Sequence, residues 1–226
     1  MRLFTAIVPP REVLEELRRV VQSVNPPLPN ADKPRLSKLA GRRYRGAHAA
    51  GRDPVREEPQ QLTQPSTDEL DSPDVDDMYI GLAGFGNVTL ADATKLAAAL
   101  RPQVATWSTA ELVFAGAAAL EFPGDQSVWA KLDGDLDALN AIGKGVPLAV
   151  QRMGYFVDRR KFRPWLSVGT ITDTTTAPYL ERLVAALDGF RGEPWRVEGV
   201  SLMKGISDSE SKRRFEEMEW LPLAGG

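Results

Sequence analysis

The chain is read as an α+β fold, on three observations. Strand-like runs come in hairpin-rich groups broken by Gly and Pro, with only one or two helical patterns per group. A faint internal repeat relates Met78-Tyr79-Ile80-Gly81-Leu82 to Pro164-Trp165-Leu166-Ser167-Val168, 86 residues further on. Each copy sets an aromatic and a small residue two apart, on one face of a short strand that leads through a turn into a helix. The 86-residue separation is consistent with two lobes related by a pseudo-twofold axis, and a long segment with no sustained periodicity lies between the first helix and the first copy.

The elements follow in order. Residues 2–8 (RLFTAIV) read as a buried strand, and Pro9-Pro10 then opens a helix. In that helix Val13, Leu14, Leu17, Val20, Val21 and Val24 recur at helical spacing, and Asn25-Pro26-Pro27 ends it. MYIGLAGFGNV (78–88) reads as a strand closing in a Gly-Asn turn. Thr89 caps a helix, LADATKLAAAL, expected to stop before Pro102. Three strand-like runs follow at Ala110–Ala115, Ala118–Phe122 and Ser127–Leu132, then a short helix over Gly134–Ile142. A basic, aromatic hairpin is expected over Gln151–Arg163 and a strand over Pro164–Ile171. The helix Ala177–Leu187 presents Leu180, Leu183, Val184 and Leu187. Two last strands, Trp195–Met203 and Arg214–Leu221, flank a polar turn at Gly205–Lys212.

Residues 26–76 stand apart. Eight basic residues and one acid occupy positions 33–56, whereas positions 57–77 hold eight acids and no base. A segment so poor in apolar residues buries too little surface to offset its chain entropy. The sequence therefore predicts a disordered, charge-segregated insertion at 26–76 within a folded domain made of residues 1–25 and 77–226. The basic half can attract nucleic acid, but the acidic half competes for it.

Composition excludes several chemistries. Of 226 residues none is cysteine and one, His48, is histidine. Disulfides, thiol nucleophiles, cysteine-ligated zinc and any mechanism needing two imidazoles are excluded. The net charge of −3 does not give the general basic field of a dedicated DNA binder. No run approaches the roughly 20 apolar residues of a spanning helix. A cytoplasmic monomer without cofactor, metal or membrane association is expected.

Several segments resemble the bacterial 2′-5′ RNA ligase and 2′,3′-cyclic phosphodiesterase family of the 2H phosphoesterase superfamily. MRLFTAIVPP is similar to that family's first strand and proline-started helix, and Met78–Val88 to the strand carrying its first His-x-Thr motif. SVWAKL (127–132) resembles the strand that leads into the second half. Phe162-Arg163-Pro164-Trp165-Leu166-Ser167 resembles the second motif, Phe-x-Pro-His-x-Thr, and Val197–Met203 with Phe215–Leu221 the closing hairpin. The resemblance implies a two-lobed 2H phosphoesterase-like fold with antiparallel sheets flanking a central cleft. In the family two histidines serve as general base and general acid, while the hydroxyls hold the phosphate.

Here the motif positions read Tyr79, Gly81, Trp165 and Ser167. An indole N–H cannot accept a proton, and a phenol with a pKa near 10 is mostly protonated at pH 7. No catalytic residue is therefore assigned. The expected function is an inactive relative that binds a nucleotide, an RNA end or another phosphorylated ligand in the cleft. Tyr79, Gly81, Trp165 and Ser167 would line the site, with Arg159, Arg160, Lys161 and Arg163 as phosphate-binding candidates. Two alternatives stay open. One is an active cyclic phosphodiesterase or 2′-5′ RNA ligase using Tyr79, or His48 delivered by the insertion. The other is an interaction scaffold that docks a partner protein through 26–76. Tyr79 and Trp165 can equally be apolar bulk that fills a vacated cleft.

Overall fold

A computed structural model describes residues 1–24, 70–152, 154–155, 162–206 and 214–226. Its first strand, β1 (Arg2–Ile7), is followed by α1 (Arg11–Val24), which buries Val13, Leu14, Leu17 and Val21 on one face. After a two-residue strand β2 (Leu70–Asp71) and a 3-10 turn (Val75–Asp77) come β3 (Ile80–Asn87) and α2 (Leu90–Val104). The chain continues through β4 (Ala110–Ala119), β5 (Ser127–Gly134), α3 (Leu136–Arg152), β6 (Trp165–Ile171) and α4 (Ala177–Asp188). It closes with β7 (Trp195–Val197), β8 (Gly199–Gly205) and β9 (Phe215–Pro222). Thr89 and Thr176 cap α2 and α4 by accepting from the N–H groups of Asp92 and Tyr179.

The nine strands described form two antiparallel sheets, ordered β3-β1-β8-β9 and β2-β6-β5-β4-β7. The expected pseudo-twofold is visible in that order. Strand β1 pairs with β3 across α1, and β5 pairs with β6 across α3. After α2 the chain crosses into the second sheet, where β4 joins β5. After α4 and β7 it crosses back, and β8 joins β1. Helix packing obeys the same relation, with α1 against α4 and α2 against α3. The fold class is thus the α+β, two-sheet arrangement predicted. No helix among the described residues is long and apolar enough to cross a membrane.

Five element boundaries differ from expectation, each for a physical reason. The runs at 110–115 and 118–122 are not separate strands. Strand β4 passes through a one-residue bulge between Phe114 and Ala117, made possible by Gly116 at φ +89°, and ends at Ala119. Helix α2 continues past Pro102 to Val104, because Leu100 and Val104 are fully buried and packing outweighs one lost backbone bond. Helix α3 runs ten residues beyond Ile142, and its last two, Gln151 and Arg152, take the start of the expected hairpin. Two glycines in that extension are contact points. A β-carbon on Gly143 would collide with the Phe162 ring, and one on Gly145 would stand 2.6 Å from the Trp107 ring.

The expected strand 195–203 splits between the two sheets, since β7 pairs with β4 and β8 with β1. Finally, order resumes before residue 77. Leu70 and Val75 are buried, and β2 pairs with β6, so residues 70–76 belong to the fold and not to the expected 26–76 insertion. Residues 26–69 lie outside the described residues, as does His48.

One turn offers a direct check. Gly134 adopts φ +108°, and a β-carbon there would collide with the Glu111 carbonyl. Gly134→Ala should lose about 1–3 kcal/mol of stability, read as a lowered urea midpoint at unchanged m-value.

Candidate functional site

The sequence places aromatic residues at the starts of β3 and β6, and the fold brings these two ends together. A cleft of about 690 Å³ receives Tyr79 and Gly81 from the first sheet and Trp165 and Ser167 from the second, with Arg163 beside them. The four motif positions and one of the four basic candidates therefore share one site. Arg159, Arg160 and Lys161 lie outside the described residues.

On the first wall, Tyr79 belongs to an aromatic trio. Its ring centre lies 4.8 Å from that of Phe4 on β1 and 5.4 Å from that of Phe215 on β9, the latter edge to face. Phe4 and Phe215 meet at 5.0 Å, also edge to face. Such pairs add about 0.5–1.5 kcal/mol beyond area burial. Gly81 lies beside the ring: the Tyr79 Cε2 atom would stand in ordinary contact, 3.7 Å, with a β-carbon there. Phe215 is held in place by Asp77, 7% exposed, whose carboxylate accepts from the backbone N–H groups of Arg214 (2.9 Å) and Phe215 (3.3 Å).

On the second wall, the Trp165 ring centre lies 6.3 Å from that of Trp129 on β5. Trp129 is the cross-strand partner of Ser167, and Lys131 that of Trp165. The Trp129 indole N–H donates to Asp125 at 3.1 Å. The same carboxylate, 6% exposed, accepts from the N–H groups of Ser127 (3.0 Å) and Glu121 (3.3 Å), fixing the loop that carries Phe122. The Arg163 guanidinium carbon stands 4.0 Å from the centre of the Phe122 ring and 5.1 Å from that of Trp165. Arg2 and Arg214 bring two further cations to the cleft from the first wall.

Burial pushes the Tyr79 phenol above the ordinary value near 10; Arg2 pulls it down and Asp77 pushes it up again. It is therefore a neutral donor at pH 7, with less phenolate present than in a free tyrosine. Among the described residues lining the cleft there is no histidine. What the arrangement offers is hydrogen-bond donors, hydroxyls and cations framed by aromatic plates.

Sequence reading reached Tyr79, Gly81, Arg163, Trp165 and Ser167 but missed Phe4, Phe122, Trp129, Phe215, Asp77 and Asp125. Trp129 carried a usable signal, since strand alternation in SVWAKL puts it with Lys131, away from the buried Val128, Ala130 and Leu132. Asp77 and Asp125 carried none, because their partners are mostly backbone groups.

Two predictions follow from this geometry. Removing the Asp125 carboxylate in Asp125→Ala leaves three donors without their acceptor, and should cost about 1–3 kcal/mol in chemical denaturation and alter tryptophan emission. For Tyr79 the folded pKa lies above the unfolded one. Its contribution to stability is then fully present below pH of about 10 and lost as pH rises through the higher folded value. Denaturation midpoints followed from pH 9 to 11.5 should fall less steeply in Tyr79→Phe than in the unsubstituted protein.

No known protein family matches the chain by sequence, and no curated protein does. Solved structures match it by fold. Escherichia coli LigT complexed with 3′-AMP superposes with a TM-score of 0.64 at 15% identity, covering 98% of this chain and 97% of that one. The protein TT0787 of Thermus thermophilus gives 0.61 at 14%, covering 99% and 98%. LigT complexed with phosphate gives 0.61 at 14%, covering 99% and 97%. At such identity the likeness is one of architecture, and the chain has a LigT-like fold.

Proposed function

We propose that this chain is a degenerate 2H phosphoesterase, of the 2′-5′ RNA ligase and cyclic phosphodiesterase type, that binds a nucleotide, an RNA end or another phosphorylated ligand without turning it over. The observation that carries this reading is the pair of residues at the motif positions. Tyr79 and Trp165 line one cleft from two sheets, and neither can shuttle a proton at neutral pH. Each general acid or base typically contributes roughly 10²–10⁴-fold, so losing both removes on the order of 10⁴–10⁸-fold if the effects multiply.

Binding groups are nonetheless retained. Ser167 and Tyr79 supply hydroxyls, and Arg2, Arg163 and Arg214 supply charge. The LigT structures complexed with 3′-AMP, ATP and phosphate, on the same fold, support a ligand of that class. The Asp77 carboxylate is engaged by the backbone N–H groups of Arg214 and Phe215. Burial keeps the Tyr79 phenol protonated at pH 7, so it has almost no phenolate to offer as a base.

Calorimetry with 3′-AMP and short RNAs bearing terminal phosphates should detect binding at millimolar concentration or below. Incubation with 2′,3′-cyclic nucleotides should release no product above background. Turnover above background would overturn the inactive reading, its persistence in Tyr79→Phe and His48→Ala would eliminate both as substitute groups, and the absence of all binding would overturn the ligand.

A further inference from the structure

We propose that Trp165 serves the cleft as a pedestal for Arg163, and that the guanidinium so fixed is the anchor for the oxyanion of the ligand. The inference rests on the ligand-binding reading above and names the contact on which it turns. Aromatic residues in a nucleotide cleft invite a stacking role, with a base laid on the indole. The geometry around Trp165 points elsewhere. Its ring already has the Arg163 guanidinium 5.1 Å from its centre and the Lys131 ammonium at 5.9 Å. Both distances fall within the range where a cation is attracted to the ring quadrupole, which is strongest for tryptophan. The indole therefore holds positive charge.

Arg163 is constrained from a second side by Phe122, whose ring centre lies 4.0 Å from the guanidinium carbon. Phe122 sits on the loop tied down by Asp125, so the plane of the guanidinium is set by a chain of fixed contacts. Arg163 Nη1 is buried and has no hydrogen-bond partner among the described residues. A buried N–H donor left unpaired is costly, and the two ring contacts give it no acceptor. Arg163 also lines a second concavity of about 410 Å³ with Glu121 and Asn140. Arg163 lines the cleft, and a planar guanidinium fork held there between two rings suits a phosphate or carboxylate that accepts two parallel hydrogen bonds. Lysine, a point charge on a flexible stem, cannot reproduce that fork. An imidazole at position 165 would exchange protons but offer a poorer face to the cation; indole reverses both properties.

Calorimetric titration tests the anchor on the full chain with four probes: 3′-AMP, adenosine, inorganic phosphate and malonate. The 3′-AMP should bind at least tenfold more tightly than adenosine. Arg163→Lys should lose tenfold or more for 3′-AMP with an unchanged melting temperature. Trp165→Phe, which keeps an aromatic face, should lose less than Trp165→Leu. Tighter binding of phosphate than malonate identifies the oxyanion as a phosphate, and the reverse order identifies it as a carboxylate; either supports the anchor. Equal affinities for 3′-AMP and adenosine, or wild-type affinity in Arg163→Lys, overturns the anchor while leaving a binding cleft. No binding of any probe overturns both.

Discussion

The cleft depends on an exchange of strands between the two halves of the chain. Strand β4 follows β3 and α2 in sequence yet pairs with β5, and β8 follows β6 and α4 yet pairs with β1. Each sheet is thereby completed by the half that began the other. Because β1 and β5 are internal strands, bonded on both edges, the first sheet is incomplete until β8 has crossed back to β1, and the second until β4 has crossed over to β5. That reciprocity holds the starts of β3 and β6 on opposite walls of one space. The side chains at those two places decide what the space can do.

The two walls are built alike, although the residues differ. Each has a nearly buried aspartate whose oxygens accept backbone N–H groups, and each uses it to seat an aromatic ring. Asp77 fixes the start of β9 and so the Phe215 ring against Tyr79. Asp125 fixes the β4–β5 loop and the Trp129 indole, which packs beside Trp165. Burying a carboxylate is costly unless its acceptor capacity is used, and here it is used locally. These aspartates stiffen the two walls.

Much of this was legible in the sequence. Periodicity located α1 and α4 to within a residue or two, because a face such as Val13, Leu14, Leu17 and Val21 has no other low-energy place to go. The spacing of Tyr79/Gly81 and Trp165/Ser167 identified the two strand starts that meet in the cleft. Where the reading failed, a local signal was outweighed by a distant contact. Gly143, Gly145 and Pro147 look like a helix stop, but Phe162 and Trp107 lie against those glycines and α3 continues. Leu70 is embedded in an acidic stretch and looks solvated, yet it is 2% exposed because β2 adds to the edge of β6. The Asp125 network joins side chain to backbone and leaves no pattern in composition.

The residues at the two strand starts differ in what they meet. The Tyr79 ring lies beside Gly81, where a β-carbon would make an ordinary contact with it at 3.7 Å. Across the cleft, Trp165 is wide enough to meet both Arg163 and Lys131. A single imidazole placed at 79 or 165 would supply one proton carrier where a paired general acid and base need two. At 165 it would also give up the wide face that now meets two cations. The indole there belongs to a cation-bearing wall and is more than apolar filling.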